Sequence, residues 1–488
     1  MNNWWQAYYF QDNWKITPQL ALNLGLRYEY FSPAVQRGKA TNFDLNGAVP
    51  GFVPSRQTFH GFPDIPDTSD RPASLVYGDR NNFGPRFGFA YTPLRIPDFV
   101  VRGGYGIYYT PEITNSWTTL TLNPPIVKTF DFSGTFDQPI QVDSAFAVTG
   151  RAGVGLFGSG ALDPNLRDSY TQQWNLMVQK KLPQNLYMDL GYVGSKGTNL
   201  TLAVDGNRPI QVVTPGPDVA PLANRRPFQG FSGISAAKSI GNSIFHSLQL
   251  KVERRMSQGL SLLSAYTWSK SLSNADISTV GGGFNLNGIQ DYFDLRGSRS
   301  PSIFDIRHRL VVAAVYDVPL FNRARSRAVR ILLGGWRFGA SVTEQTGFGA
   351  ALAGVGDTTG TGVSSRPNVV SGQKAELGRG ERSRDRWFNT AAFAQTPLGV
   401  FGNAARQSIH LPGLNQVDFA ATKNFRFHEA HNLQFRAEFF NFFNHTNLGT
   451  PGLDLRQPNS FGRITTSSQG AGVANDARII QFALKYQF

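Results

Sequence analysis

From Leu20 to Phe31 the chain reads LALNLGLRYEYF, with Leu20, Leu22, Leu24, Leu26, Tyr28 and Tyr30 at every second position. Ala21, Asn23, Gly25, Arg27 and Glu29 fill the places between. Successive strand residues face opposite sides, so this pattern predicts a strand with one apolar and one polar face. NFGPRFGFAY repeats it, setting Phe83, Phe87, Phe89 and Tyr91 against Asn82, Gly84, Arg86 and Gly88. So does the closing RIIQFALKYQF: Ile480, Phe482, Leu484, Tyr486 and Phe488 share one face, and Gln481, Ala483, Lys485 and Gln487 the other. Helical spacing prevails over no long window.

The alternation predicts thirteen strands, near 6–16, 20–31, 82–92, 99–109, 169–181, 186–196, 243–255, 259–270, 305–317, 335–346, 415–427, 433–443 and 478–488. Each is about 10 to 14 residues long. A strand of a soluble protein averages about 5–6, whereas a tilted membrane-crossing strand takes about 9–11. The connections alternate as well. Short turns such as Thr17-Pro18-Gln19, Pro183-Gln184-Asn185 and Ser257-Gln258-Gly259 carry turn residues at hairpin spacing. Between them lie long connections at 32–81, 110–168, 197–242, 271–304, 347–414 and 444–477. Loops of that length are uncommon inside a compact soluble domain. A strict short–long rhythm is the signature of an outer-membrane barrel, with short periplasmic turns and long extracellular loops. One short connection, 318–334, is longer than its peers and holds Arg323, Arg325, Arg327 and Arg330.

Composition fits this all-β, antiparallel transmembrane reading. Mean hydropathy is only −0.26, and no stretch approaches the roughly 20 apolar residues of a membrane helix. Alternating strands average out to such modest values. Aromatic residues make up 13% of the chain. Trp4, Trp5, Tyr8, Tyr9 and Phe10 cluster near one strand end, as do Tyr105, Tyr108 and Tyr109, and Tyr266 with Trp268. Tyr and Trp suit the membrane–water interface, where an apolar ring body and a polar handle are both accommodated. A soluble sandwich would bury the same rings, but would leave both the strand lengths and the lopsided loops unexplained. The net charge is +14, yet the basic residues are scattered, which argues against nucleic-acid binding. Cysteine is absent, which removes disulfides and thiolate metal sites.

The polar faces define an expected interior. Arg27, Glu29, Arg86, Arg102, Lys251, Glu253, Arg307, Arg309, Arg436 and Glu438 alternate with apolar residues. A charge facing lipid costs about 2–4 kcal/mol at the midplane, so these ten are expected to line the lumen.

The segments LDPNLRDSYTQQWNLMVQKKLPQNLYMDLGYVGSKGTNL, LQLKVERRMSQGLSLLSAYTWSKS, FDIRHRLVVAAVYDVP, GGWRFGASVTEQTG, WFNTAAF and LQFRAEFFNFFNHTNLGTP resemble the barrel of the Oar-like TonB-dependent receptors. The resemblance runs from the WWQAYYFQDNWKIT strand to Phe488. It implies an outer-membrane β-barrel of about 22 strands around a plug, of which residues 1–488 would supply about thirteen as a partial domain. It implies energised passage of a large or scarce substrate, no cofactor and no bond chemistry. The implied partners are outer-membrane lipid, the barrel-assembly machinery, and the TonB energy-coupling complex engaged through an N-terminal region not seen here. In that family the last strand is the assembly signal, which Ile480, Phe482, Leu484, Tyr486 and Phe488 match position by position. An alternating edge strand can be read by β-augmentation. Signal peptide, regulatory-like domain and plug are not found, so the resemblance implies a C-terminal fragment. A passive porin and a surface adhesion protein are the alternatives.

Other chemistry has little support. Gly153 to Gly158 match GxGxxG, but a dinucleotide site needs a strand before and a helix after. His428 and His431 in HEAH read as a solvated turn, since a metalloprotease needs HExxH on a helix. His308 falls on the apolar side near a strand start, as an interface-level polar residue. Ser247 and His246 are adjacent, so they face opposite ways and cannot form a nucleophile–base pair. No enzyme is expected.

Overall fold

The computed structural model describes residues 2–35, 40–44, 51–54, 72–112, 117–123, 159–228, 231, 233–274, 289–378, 380–428, 431–467 and 477–488. Thirteen consecutive long strands form one antiparallel path. They are β1 (Trp5–Thr17), β2 (Leu20–Phe31), β3 (Asn82–Tyr91), β4 (Phe99–Thr110), β5 (Ser169–Leu182), β6 (Leu186–Asp205) and β7 (Ile234–Ser257). β8 (Leu260–Ser273), β9 (His308–Asp317), β10 (Trp336–Gln345), β11 (Leu414–His428), β12 (His431–Phe440) and β13 (Ile479–Gln487) complete it. Every strand pairs with its neighbours in sequence, and the sheet stays open: among the described residues β1 pairs only with β2, and β13 only with β12. All thirteen expected strands are present, each in its expected place.

The turns show why the path folds back at one end. Thr17 Oγ1 accepts from the backbone N–H groups of Gln19 and Leu20, at 3.2 and 3.0 Å. Gln258 and Gly259 both have positive φ, 52° and 78°, the conformation a tight hairpin demands. A Cβ on Gly259 would also come within 2.7 Å of the Asp317 carbonyl oxygen. In the longer connection after β9, Arg327–Leu333 is a short helix capped by Ser326, whose hydroxyl accepts from the Val329 N–H.

Two hairpin arms are longer than expected. β6 and β7 run to 20 and 24 residues, so much of the expected loop 197–242 is strand. TNLTLAVD, residues 198–205, keeps the alternation going, and its partner strand matches it from Ser235 through Ser239. Register shifts around Gly241 separate this outer part from the rest. A bulge of this kind bends the strand and re-aims it. The short strand Ser159–Leu162 adds to it in parallel at Ile234–Ala237.

Burial is inverted relative to a soluble protein. The long strands expose large apolar side chains, including Leu24, Leu26, Phe87, Leu176, Leu190, Leu248, Phe482 and Leu484. The buried apolar clusters lie almost wholly in the long connections. One gathers Leu75, Val76, Trp117, Leu120, Leu162 and Leu166. A second gathers Leu352, Phe388, Ala392, Phe393, Ala404 and Ile409, with Leu453, Leu455 and Phe461 packed against it. A third joins Phe43, Ala161, Val204, Ile234 and Ala236. The long connections thus form a folded cap with cores of its own.

Candidate binding site in the loop cap

Cross-strand register assigns each side chain to a face. Leu24 lies opposite Asp12 and Phe87, Tyr105 opposite Phe87 and Trp174, Leu248 opposite Tyr192 and Trp268. Phe435 lies opposite Lys423 and Leu484. Followed strand by strand, these form one largely apolar face, broken by charges that include Asp12 on β1, Lys196 on β6, Glu344 on β10 and Lys423 on β11. Nine of the ten charged residues expected in the interior share the opposite face. Arg27 lies opposite Gly84 and Arg86 opposite Gly25 and Gly106; Glu29 lies opposite Ala7 and Arg102 opposite Ala90. Lys251 faces Asp189, Arg309 faces Thr267 and Gln345, Arg436 faces Thr422 and Ala483, and Glu438 faces Ala420 and Gln481. Ion pairs join Arg27 to Glu29 at 2.9 Å and Lys251 to Glu253 at 2.7 Å, and Arg436 pairs with Glu438. The small residues opposite many of these charges leave room for long side chains to lie along the sheet.

Arg307 differs. It precedes β9 and lies outside any strand, held by its carbonyl to the Ser269 N–H at 3.0 Å. Its charge helps to hold Glu376 below the ordinary glutamate range, after the dominant hydrogen bond from His410.

The apolar face has polar edges. Tyr192 and His246 are stacked and hydrogen-bonded at 2.7 Å, as are Tyr266 and His308 at 2.8 Å and Tyr486 and His431 at 2.6 Å. Each pair crosses between neighbouring strands. Lys423 sits on the apolar face near the short-turn end, under Trp336 and Phe425, and donates to the Gly334 carbonyl. A lysine that stretches its amine toward a strand end behaves as a snorkelling side chain. Trp5, Tyr9 and Tyr108, by contrast, lie on the charged face, so the expected aromatic clusters are divided between faces.

The cap closes around a cavity of about 540 Å³. Its wall draws on four separate connections through Asp205 and Arg208, Gln290 and Tyr292, Arg366 and Arg406, and Arg456. Gln290 ties three of these together: its amide donates to the Gly402 carbonyl at 2.7 Å, its side-chain oxygen accepts from the Arg366 N–H at 2.9 Å, and its backbone carbonyl accepts from Arg208. Arg208 is almost wholly buried and donates to the Gln290 carbonyl at 2.8 Å and to Asp291 at 2.7 Å. The rings of Tyr292, Phe293 and Phe401 surround its guanidinium. Asp205 is taken up by Arg226 at 3.0 Å, and Arg456 by Asp454 at 2.8 Å. The sequence points only to the connections that would furnish contacts. It does not single out Arg208, Arg366 or Arg406, which are brought together by chain segments far apart in sequence.

For the remaining expectations, GxGxxG at 153–158 lies outside the described residues, as does Glu429 of HEAH. Among the described residues no group of three or more His, Cys, Asp or Glu side chains is placed to hold a metal. Ser247 lies opposite Ser269 while His246 lies opposite Lys270, on the other face.

The sequence matches the outer membrane beta barrel domain family over residues 1–481. The chain belongs to that family. It is an outer-membrane protein, and the exposed apolar face of its sheet is the surface an outer-membrane barrel presents to lipid. No curated protein matches the sequence. Among solved structures it is similar to the ferripyoverdine receptor of the outer membrane of Pseudomonas aeruginosa, at 10% identity and a TM-score of 0.45, covering 100% of this chain and 39% of that one. It is also similar to the outer membrane transporter YddB from Escherichia coli, at 11% identity and a TM-score of 0.47, covering 99% and 44%. The ferric-catecholate import receptor Fiu from E. coli K12 gives 11% identity, a TM-score of 0.40, and 99% and 44% coverage. The chain thus spans about two-fifths of the length of these structures.

Proposed function

We propose that this barrel domain belongs to a TonB-dependent receptor of the Oar-like kind, which captures a large or scarce substrate in its loop cap and passes it inward in an energised step. The observation that carries this reading is the pairing of a folded cap around a cavity of about 540 Å³ with a sheet face lined by charges of both signs. A simple pore needs no folded cap. The charged face is the lumen wall in this reading. Arg27, Glu29, Arg86, Arg102, Lys251, Glu253, Arg307, Arg309, Arg436 and Glu438 line the passage. Substrate first meets cap residues, and the chemistry is binding and gating with no bond broken. The TonB complex would engage a region outside this sequence.

Deleting the full-length gene and measuring uptake tests the proposal. Uptake should fall when the gene is deleted and also when the inner-membrane energy supply is collapsed. Steady conductance of uniform size from the refolded chain in a planar bilayer would instead indicate a passive porin. Unchanged uptake with lost cell contact would indicate adhesion.

A further inference from the structure

The connection between β9 and β10 lies at the short-turn end and is built unlike its peers. From Val318 to Gly335 it contains Arg323, Arg325, Arg327 and Arg330 and no acidic residue. All four arginines are exposed, and among the described residues none of their side chains makes an ion pair or hydrogen bond. The nearest carboxylate in sequence, Asp317, is taken by both nitrogens of the Arg337 fork, at 2.6 and 3.0 Å. The positive charge of the connection is therefore uncompensated.

Its apolar residues are exposed as well. Leu320, Phe321, Ile331, Leu332 and Leu333 are between 46% and 63% exposed, whereas the cap connections bury theirs. In the short helix Arg327–Leu333, Arg327 and Arg330 are three apart on one side, and Ala328 and Leu332 four apart on another. Two side chains of the lipid-facing surface hold the end of this helix. Trp336 donates its indole N–H to the Leu332 carbonyl at 3.1 Å, and Lys423 donates to the Gly334 carbonyl. The last turn of the helix is thus fastened to the lipid side of the sheet, where Trp336 lies beside Phe338 and Phe435. Short turns of an outer-membrane barrel face the periplasm, so this rim meets the headgroups of the inner leaflet.

We propose that residues 320–333 form an interfacial anchor that binds anionic phospholipid headgroups of the inner leaflet. The exposed apolar side chains enter the upper acyl region and the four arginines meet the phosphates. An acidic protein would answer the arginines alone. The apolar set, continuous with the lipid-facing surface, selects lipid. The proposal needs only the membrane placement of the sheet and holds for a receptor and a porin alike.

The chain has no cysteine, so Ala328→Cys supplies a single thiol for a bimane fluorophore on the full chain, refolded into phosphatidylcholine vesicles. Phosphatidylglycerol and phosphatidylcholine, each with a doxyl quencher high on an acyl chain, are then compared in equal trace amounts. Phosphatidylglycerol should quench about fivefold more strongly, the factor that one arginine contributes near an anionic surface. Replacing the four arginines together, as Arg323→Gln, Arg325→Gln, Arg327→Gln and Arg330→Gln, should bring the two lipids level and leave quenching by phosphatidylcholine as it was. The four corresponding lysine substitutions should keep the preference, because charge governs attraction to a headgroup layer. Weak quenching by both lipids would overturn the proposal and turn attention to an acidic protein. Equal quenching in the parent chain would also overturn it, as would a preference that survives the glutamine substitutions. So would a loss of strand content in the glutamine variant by circular dichroism, which would show that the arginines serve the fold.

Discussion

Asp168 illustrates how single residues of the cap carry their environment. It lies just before β5, its carboxylate accepting from the Asn82 amide at 2.7 Å and its backbone N–H donating to Asp79 at 3.2 Å. Burial, then repulsion from Asp79 and Glu112, raises its pKa to about 6 against the opposing Asn82 hydrogen bond. An unfolded aspartate titrates near ~3.9, so the folded cap holds this proton more tightly than the unfolded chain does. The stabilisation is full below about pH 4 and is lost as pH rises through about 6. Protection of the neighbouring Tyr77 and Leu166 amides, which donate to Pro164 and Asp163 carbonyls, should be higher at pH 5 than at pH 7.5. Asp168→Asn should flatten that difference, read by hydrogen exchange as protection factors. Such sites are nearly illegible in sequence. Asp168 and Asp79 are 89 positions apart, and Arg366 and Arg406 line one cavity with Arg208 and Gln290 from other connections. The charged residues of the strands were legible, because a period of two fixes a face without any knowledge of the fold.

At the scale of elements, alternation specified nearly all of the sheet, since each strand carries its own pattern and each turn its own residues. What it missed is how far β6 and β7 reach. Their outer halves pair with each other and with Ser159–Leu162, contacts that no local signal announces. Close fits between strands were equally hidden. Trp174 lies opposite Gly194, and a Cβ there would come within 2.4 Å of the indole. Gly194→Val should therefore displace Trp174, break its contacts with Tyr192 and His246, and cost about 1–3 kcal/mol. The urea midpoint in lipid vesicles, followed by tryptophan fluorescence, reads this directly. The last strand carries a different prediction. Its apolar side chains Ile480, Phe482, Leu484, Tyr486 and Phe488 are all exposed, and among the described residues β13 has only one neighbour. If this strand is the assembly signal, deleting Phe488 or introducing Tyr486→Asp should lower heat-modifiable barrel in the outer membrane while leaving synthesis intact. Normal insertion of both variants would refute that role.

The whole molecule divides its hydrophobic energy between two solvents. Thirteen strands turn their apolar face outward, which in water would be an exposed patch far beyond what a soluble monomer tolerates, and lipid resolves that. The cap obeys the opposite rule, because its connections stand in water and must bury their own apolar side chains. The sequence rhythm of long connections conveyed their length and place but not that they fold, since Phe388, Ile409, Leu453 and Phe461 gather from stretches with no common period. This division predicts that cap and sheet lose structure separately. Phe388 is almost fully buried and sits edge-on to Phe393 and Phe461, with ring centroids 6.0 and 5.1 Å away. Phe388→Ala should remove about 3–5 kcal/mol from the cap, enough to open segments 347–413 and 448–467 to protease added outside intact cells. The strands share no core with Phe388, so heat-modifiable migration of the barrel should not change. A variant that loses both together would show that cap and sheet form one cooperative unit, with the cap needed to hold the open sheet in shape.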